Sequence, residues 1–207
     1  MEQLNFTTAL LVLTGLISWQ AFNNRDMYLK LMFVPYEMKR KNDYFRFLTH
    51  GMVHADVNHL LFNLITLYSF GIGVEFYFQQ YFGQQVGIIL YLLFYFSGII
   101  LSSLPDYYRH QDNPGYRAVG ASGGVAAIVF GYIFMNPWDR VFWVVPAGLY
   151  GVLYIIYSAY MDRNSNDNIG HNAHLWGSLY GIVFVYSLLQ LMRPEVLSGV
   201  FQNYIPF

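Results

Sequence analysis

The stretch "VGASGGVAAIVFGY", residues 119–132, places Ser122 beside Gly120, Gly123 and Gly124 at the head of a run apolar enough to sit in lipid. Glycine is a poor helix former, and a lone hydroxyl gains little in hydrocarbon. Such a composition makes sense if the segment is a membrane helix that must let another helix, and a ligand backbone, come very close to its serine.

The rest of the chain agrees with a membrane setting. Its 207 residues are 56% hydrophobic, 20% aromatic and only 11% charged, against about 25% charge in soluble domains. A net charge of −1 offers no basic face to nucleic acid, and the lack of cysteine excludes disulfides. The first apolar stretch follows Glu2 without a basic leader or a small-residue cleavage site, so it reads as a retained helix. Six segments approach the length of about 20 apolar residues that a span needs: Phe6–Phe22, Ala55–Phe76, Val86–Leu104, Ala118–Met135, Val141–Tyr160 and His171–Met192. The expected architecture is an all-α membrane protein, a single six-helix bundle over residues 1–207. The long connection "NNRDMYLKLMFVPYEMKRKNDYFRFLTHGMVH", residues 23–54, mixes charged and aromatic residues as a structured interfacial loop would. Tyr and Phe crowd the segment ends, where aromatic belts form.

With six spans, the second, fourth and sixth cross in one direction. His59 and Asn63 lie in the first half of the second, Ser122 opens the fourth, and His174 opens the sixth. At about 1.5 Å of rise per residue these side chains share a depth of roughly 6–12 Å below one membrane face. His59 and Asn63 are four apart and share a helix face. His174, Gly177 and Gly181 form a stripe smooth enough for close packing against Gly120, Gly123 and the alanines that follow. Taken singly, the serine reads as a packing residue and the histidine as a satisfied donor. Their convergence is what points to chemistry. A serine hydroxyl becomes nucleophilic when a base takes its proton, and His174 is the natural base. No acidic residue is placed to orient the imidazole, so a dyad is expected. The backbone N–H of Ser122, at a helix N-terminus, and the side chains of His59 and Asn63 would form an oxyanion hole.

These residues resemble the rhomboid intramembrane serine protease family over nearly the whole chain. The G-x-S-G motif stands as Gly120-Ala121-Ser122-Gly123, and the spaced H-x3-H-x4-H-x3-N motif as His50, His54, His59 and Asn63. Ala173-His174 with Gly177 and Gly181 matches the last-span element, and Phe70-Gly71 with Glu75 matches the end of the second span. The resemblance implies Ser122 as nucleophile, His174 as base, and His59 and Asn63 as oxyanion donors. It implies structural or loop-ordering roles for His50, His54, Arg46 and Glu75, and helix packing for Gly120, Gly123, Gly177 and Gly181. Asp43-Tyr44-Phe45-Arg46 resembles the family's first-loop stretch, with Phe in place of Trp. His171 is the second choice for the base. The chain departs from the family at Ala126, where relatives often carry an aromatic ring that stacks on the histidine; Trp176 or a loop aromatic is the expected substitute.

The resemblance implies an endopeptidase that cuts transmembrane segments of membrane-protein substrates through an acyl-enzyme, with the lipid bilayer as its medium and no cofactor or metal. The alternatives are a catalytically inactive client-binding relative, or a metal-binding protein using His50, His54, His59, His171 and His174. The family is expected to open its active face to the extracytoplasmic side, here of a bacterial inner membrane. Nine of the eleven Lys and Arg fall on that side, where the positive-inside rule would put few. Six of the nine belong to the long loop, and the orientation follows the resemblance.

Overall fold

In a computed structural model that describes residues 5–141, 143–164, 170–202 and 204, a short central helix organises the chain. The expectation of one domain over residues 1–207 extends in part over residues outside the described ones. The helices, in chain order, are α1 (Phe6–Phe22), α2 (Arg25–Leu31), α3 (Pro35–Lys41), α4 (Arg46–Thr49), α5 (Val57–Phe82), α6 (Gln84–His110), α7 (Ser122–Met135), α8 (Ala147–Asn164), α9 (His171–Met192) and α10 (Pro194–Gln202). A single 3-10 turn covers His50–Met52, and a two-stranded hairpin pairs β1 (Arg140–Val141) with β2 (Val145–Pro146).

α7 is the central element. Every residue from Gly123 to Met135 is buried except Tyr132, as expected of a helix that is apolar all round. Its 14 residues span about 21 Å, short of a hydrocarbon core of about 30 Å. Its first residue, Ser122, is half-buried. α5, α6 and α9 are each long and apolar enough to cross a bilayer, whereas α1 and α7 are shorter apolar helices. Large rings join α5, α6 and α9 in the core: Phe94 stacks on Phe184 at 4.5 Å and packs against Phe78 at 5.9 Å.

Two of the segments read from the sequence, Phe6–Phe22 and His171–Met192, coincide with α1 and α9. The others shift for local reasons. α5 starts at Val57 because the Asp56 carboxylate caps it, accepting from the His59 N–H at 2.8 Å. α7 starts at Ser122 rather than 118 because Gly120 has φ of +114°, which no helix tolerates. α8 starts at Ala147, since Arg140–Val141 and Val145–Pro146 before it pair as a hairpin.

The connection from 23 to 54 is folded, and it holds the strand-like segment that leads into Ser122. Arg46 is buried; its guanidinium donates to the Leu29 and Met32 carbonyls at 2.9 and 2.8 Å and pairs with Glu37 at 3.2 Å. This pins α2 and α3 onto α4. Phe33 and Ala118 exchange two backbone hydrogen bonds, and the Gly120 N–H donates to the His50 carbonyl at 2.9 Å. The Ala121 N–H donates to His54 Nε2 at 3.3 Å. Since Nε2 accepts, Nδ1 carries the proton and donates to Ser18 Oγ at 2.8 Å, which in turn donates to the Met52 carbonyl. A neutral, fully buried His54 therefore ties α1 and the loop to the residue before Ser122. Burial holds the His54 pKa down to about 3, helped by the neighbouring His59 and His50. Burial likewise holds His50 at about 4, against its bond to the Arg46 carbonyl.

Glu75 lies far from that loop. Its buried carboxylate accepts from the Phe6 N–H at 2.9 Å, the Thr7 N–H at 2.8 Å and the Thr7 hydroxyl at 2.7 Å. A carboxylate at a helix start also meets the positive end of the α1 dipole. It orders the first turn of α1 rather than the long loop.

Two measurements follow on protein in detergent. Glu75→Ala strands buried donors and should cost about 2–3 kcal/mol, seen as a fall in the thermal midpoint; an unchanged midpoint would show that the carboxylate carries no stability. Below the ordinary imidazole value near 6.5, the unfolded chain binds protons that buried His50 and His54 refuse. Stability should therefore drop as pH falls from about 6.5 towards the folded-state values of about 4 and 3. A His54→Gln variant should show a shallower midpoint-versus-pH slope than the parent.

Candidate functional site

A cavity of about 1040 Å³ opens above the start of α7. Ser122 and Gly123 of α7, His59 and Asn63 of α5, and His174 of α9 line it together. His50 also reaches its wall, while Arg46 and Glu75 do not line it. Tyr28, Asp56 and Arg117 add polar groups to its lining, and Phe62, Val129 and Phe130 add apolar ones.

Close backbone contact brings these helices together. A methyl group on Gly177 would strike the Gly123 carbonyl oxygen, and one on Gly181 would strike that of Ala127. α9 thus lies directly on the α7 backbone. The residues flanking Ser122 and His174 meet as well: a β-carbon on Gly123 would come within 3.5 Å of the Ala173 carbonyl. Gly123 also faces α6, where a side chain would collide with Ser102 Oγ. Gly120 has a different place from its helical neighbours. It sits in the turn before α7, and a β-carbon there would lie 2.5 Å from His59 Cε1. The missing side chain lets the His59 imidazole lie against the turn, edge-on to His54 at 5.0 Å.

α7 begins without any side-chain cap, so its first free N–H groups and its dipole point to the cavity wall. The Asn63 amide nitrogen donates one hydrogen to the His59 carbonyl at 2.9 Å; an amide has two, and the second is free for a guest. His174 is flanked by two rings. Tyr154 of α8 lies 6.3 Å away with the planes 28° apart, and His171 lies 6.2 Å away, edge-on. Trp176, expected to support the imidazole, is instead 44% exposed on the outer surface. Sequence reasoning missed Tyr154 because it falls in "YIIYSAY", which reads as an interfacial belt. It also missed Asp106, whose buried carboxylate accepts from Asn172 at 2.6 Å and so fixes the start of α9 to α6. Among the described residues, no three of His, Asp and Glu converge as a metal site would require.

Comparison with known proteins adds to this geometry. Residues 41–191 match the model of the Rhomboid domain family. Rhomboid protease GlpG of Haemophilus influenzae is 27% identical over 86% of this chain and 85% of its own length. RHOMBOID-like protein 12, mitochondrial, of Arabidopsis thaliana is 28% identical over 78% of this chain and 51% of its own length. Rhomboid-related protein 2 of Mus musculus is 29% identical over 80% and 55% respectively. The chain thus spans about half the length of the two eukaryotic relatives and most of the bacterial one. These relatives come from a bacterium, a plant and a mouse, so the likeness selects no particular membrane. With its apolar helices and a family match over most of its length, the chain is an integral membrane protein that belongs to the rhomboid family.

Proposed function

We propose that the chain is an intramembrane serine endopeptidase acting through a Ser122–His174 dyad. The observation that carries the reading is the gathering of Ser122, His174, His59 and Asn63 around one cavity, with the serine at the uncapped start of a buried helix. Membership of a family that includes named proteases supports it.

In this reading His174 removes the Ser122 proton as Oγ attacks the scissile carbonyl carbon of a substrate segment. The oxyanion that forms is met by the Ser122 N–H, the α7 N-terminus, the second Asn63 amide hydrogen and the His59 ring. Collapse breaks the C–N bond, and His174 gives its proton to the leaving amine. Water admitted to the cavity then attacks the acyl-enzyme with His174 again as base, which regenerates Ser122. The substrate is a transmembrane segment of another membrane protein. Its helix must unwind locally, because a helical amide is shielded by its own hydrogen bonds.

α1, α5, α6, α7, α8 and α9 would be the six spans, with the site open to the extracytoplasmic side. Some of the cations on that face are held by partners in the fold. Arg46 pairs with Glu37, Lys39 with Asp112 at 3.1 Å and Arg109 with Asp162 at 3.0 Å.

A fluorophosphonate probe tests the dyad on purified protein in detergent. The parent should label, Ser122→Ala should not, and His174→Ala should label about 10²-fold more slowly or worse. Adduct on Ser122→Ala, or parental labelling without His174, refutes the assignment. Asn63→Ala should stay folded and lose about 10²–10³ in turnover of a transmembrane substrate; parental turnover would remove Asn63 from the oxyanion site.

A further inference from the structure

We propose that Tyr154, carried by α8, is the positioning residue for the His174 imidazole, so that the seating of α8 on α7 sets the aim of the base. This rests on the reading of His174 as general base.

One turn beyond Ser122, α7 carries only the Ala126 methyl, and the ring beside His174 comes from a neighbouring helix. Tyr154 lies 6.3 Å from the imidazole at 28°, within the 4.5–7 Å range of interacting aromatic pairs. The other side of Tyr154 is wedged by Phe130 at 5.7 Å and Tyr150 at 5.9 Å. α8 comes this near because it presents Gly151, three residues earlier and on the same face. A β-carbon there would already lie 3.3 Å from Phe130 and 3.4 Å from Ile133. Gly151 is thus the seat, and Tyr154 is the arm that reaches the base. α8 is held at its two ends, by the Ala147 N–H on the Asp139 carbonyl at 2.7 Å and by the Arg109–Asp162 ion pair at 3.0 Å.

No carboxylate is hydrogen-bonded to His174 among the described residues, so its ring is steered by packing. A base must sit within hydrogen-bond reach of the proton it removes, and about 1 Å of misplacement costs on the order of 10² in rate. A helix that lines the cavity while holding this ring links occupancy of the cavity wall to the readiness of the base.

Saturation kinetics of fluorophosphonate labelling separate the inactivation rate constant from the binding constant of the probe, with thermal midpoints recorded alongside. Tyr154→Phe should label within about twofold of the parent. Tyr154→Leu should lose about 10- to 10²-fold in the rate constant, with little change in probe binding. Gly151→Leu, which never touches His174, should lose rate in the same direction by lifting α8. The double variant should be no slower than Tyr154→Leu alone, since coupled sites do not add. Parental labelling by Tyr154→Leu, equal losses for Leu and Phe, or additive losses in the double variant would overturn the proposal. Should Tyr154→Leu fail to fold, Gly151→Leu decides, because parental labelling there overturns it equally. A parent that does not label at Ser122 would instead refute the peptidase reading.

Discussion

The contact between the α7 and α9 backbones sets most of what surrounds it. Gly177 and Gly181 lie on the carbonyl oxygens of Gly123 and Ala127, with no room for even a methyl group. Helices in lipid gain little from burying apolar surface against one another and associate through close packing instead. Two small-residue faces therefore bring α7 and α9 nearer than bulky side chains would allow. Ser122 at the head of α7 and His174 in the first turn of α9 line the same cavity. The head of α7 carries no side-chain cap and lines a cavity.

The long first loop solves a second problem, the placement of residues 118–121. That segment leaves the helical conformation at Gly120, and its backbone groups must be satisfied in a buried place. Phe33, His50 and His54 supply the partners. The loop is in turn held by Arg46, which satisfies two carbonyls and Glu37 at once. His54 does this only while neutral, because its Nε2 must accept. Its burial and its tautomer are two aspects of one requirement.

Much of the candidate site was legible because the proposed chemistry depends on residue types at short spacing. Ser122 among glycines, His59 four before Asn63, and His174 three before Gly177 all read directly from the chain. The element boundaries were less legible. α7 loses its first turn to a positive φ that needs tertiary hydrogen bonds to persist, and the hairpin before α8 is apolar enough to pass for a span. Glu75 could be read as important but not placed, because its partners are backbone N–H groups of a helix nearly seventy residues earlier. Tyr154 was invisible for a related reason. Tyrosine near a membrane helix end is ordinary, and only the packing allowed by Gly151 and Ala126 turns one of several into the neighbour of His174.

Glu75 also couples two elements far apart in the chain. Its carboxylate is buried, and none of the ion pairs of the described residues gives it a cation. A charge buried without partners is costly, and its compensation is the first turn of α1, where Phe6 and Thr7 donate to it. A fusion or cleavage that disturbed Phe6 and Thr7 would therefore be felt in α5, which would be left holding a buried anion with its donors gone.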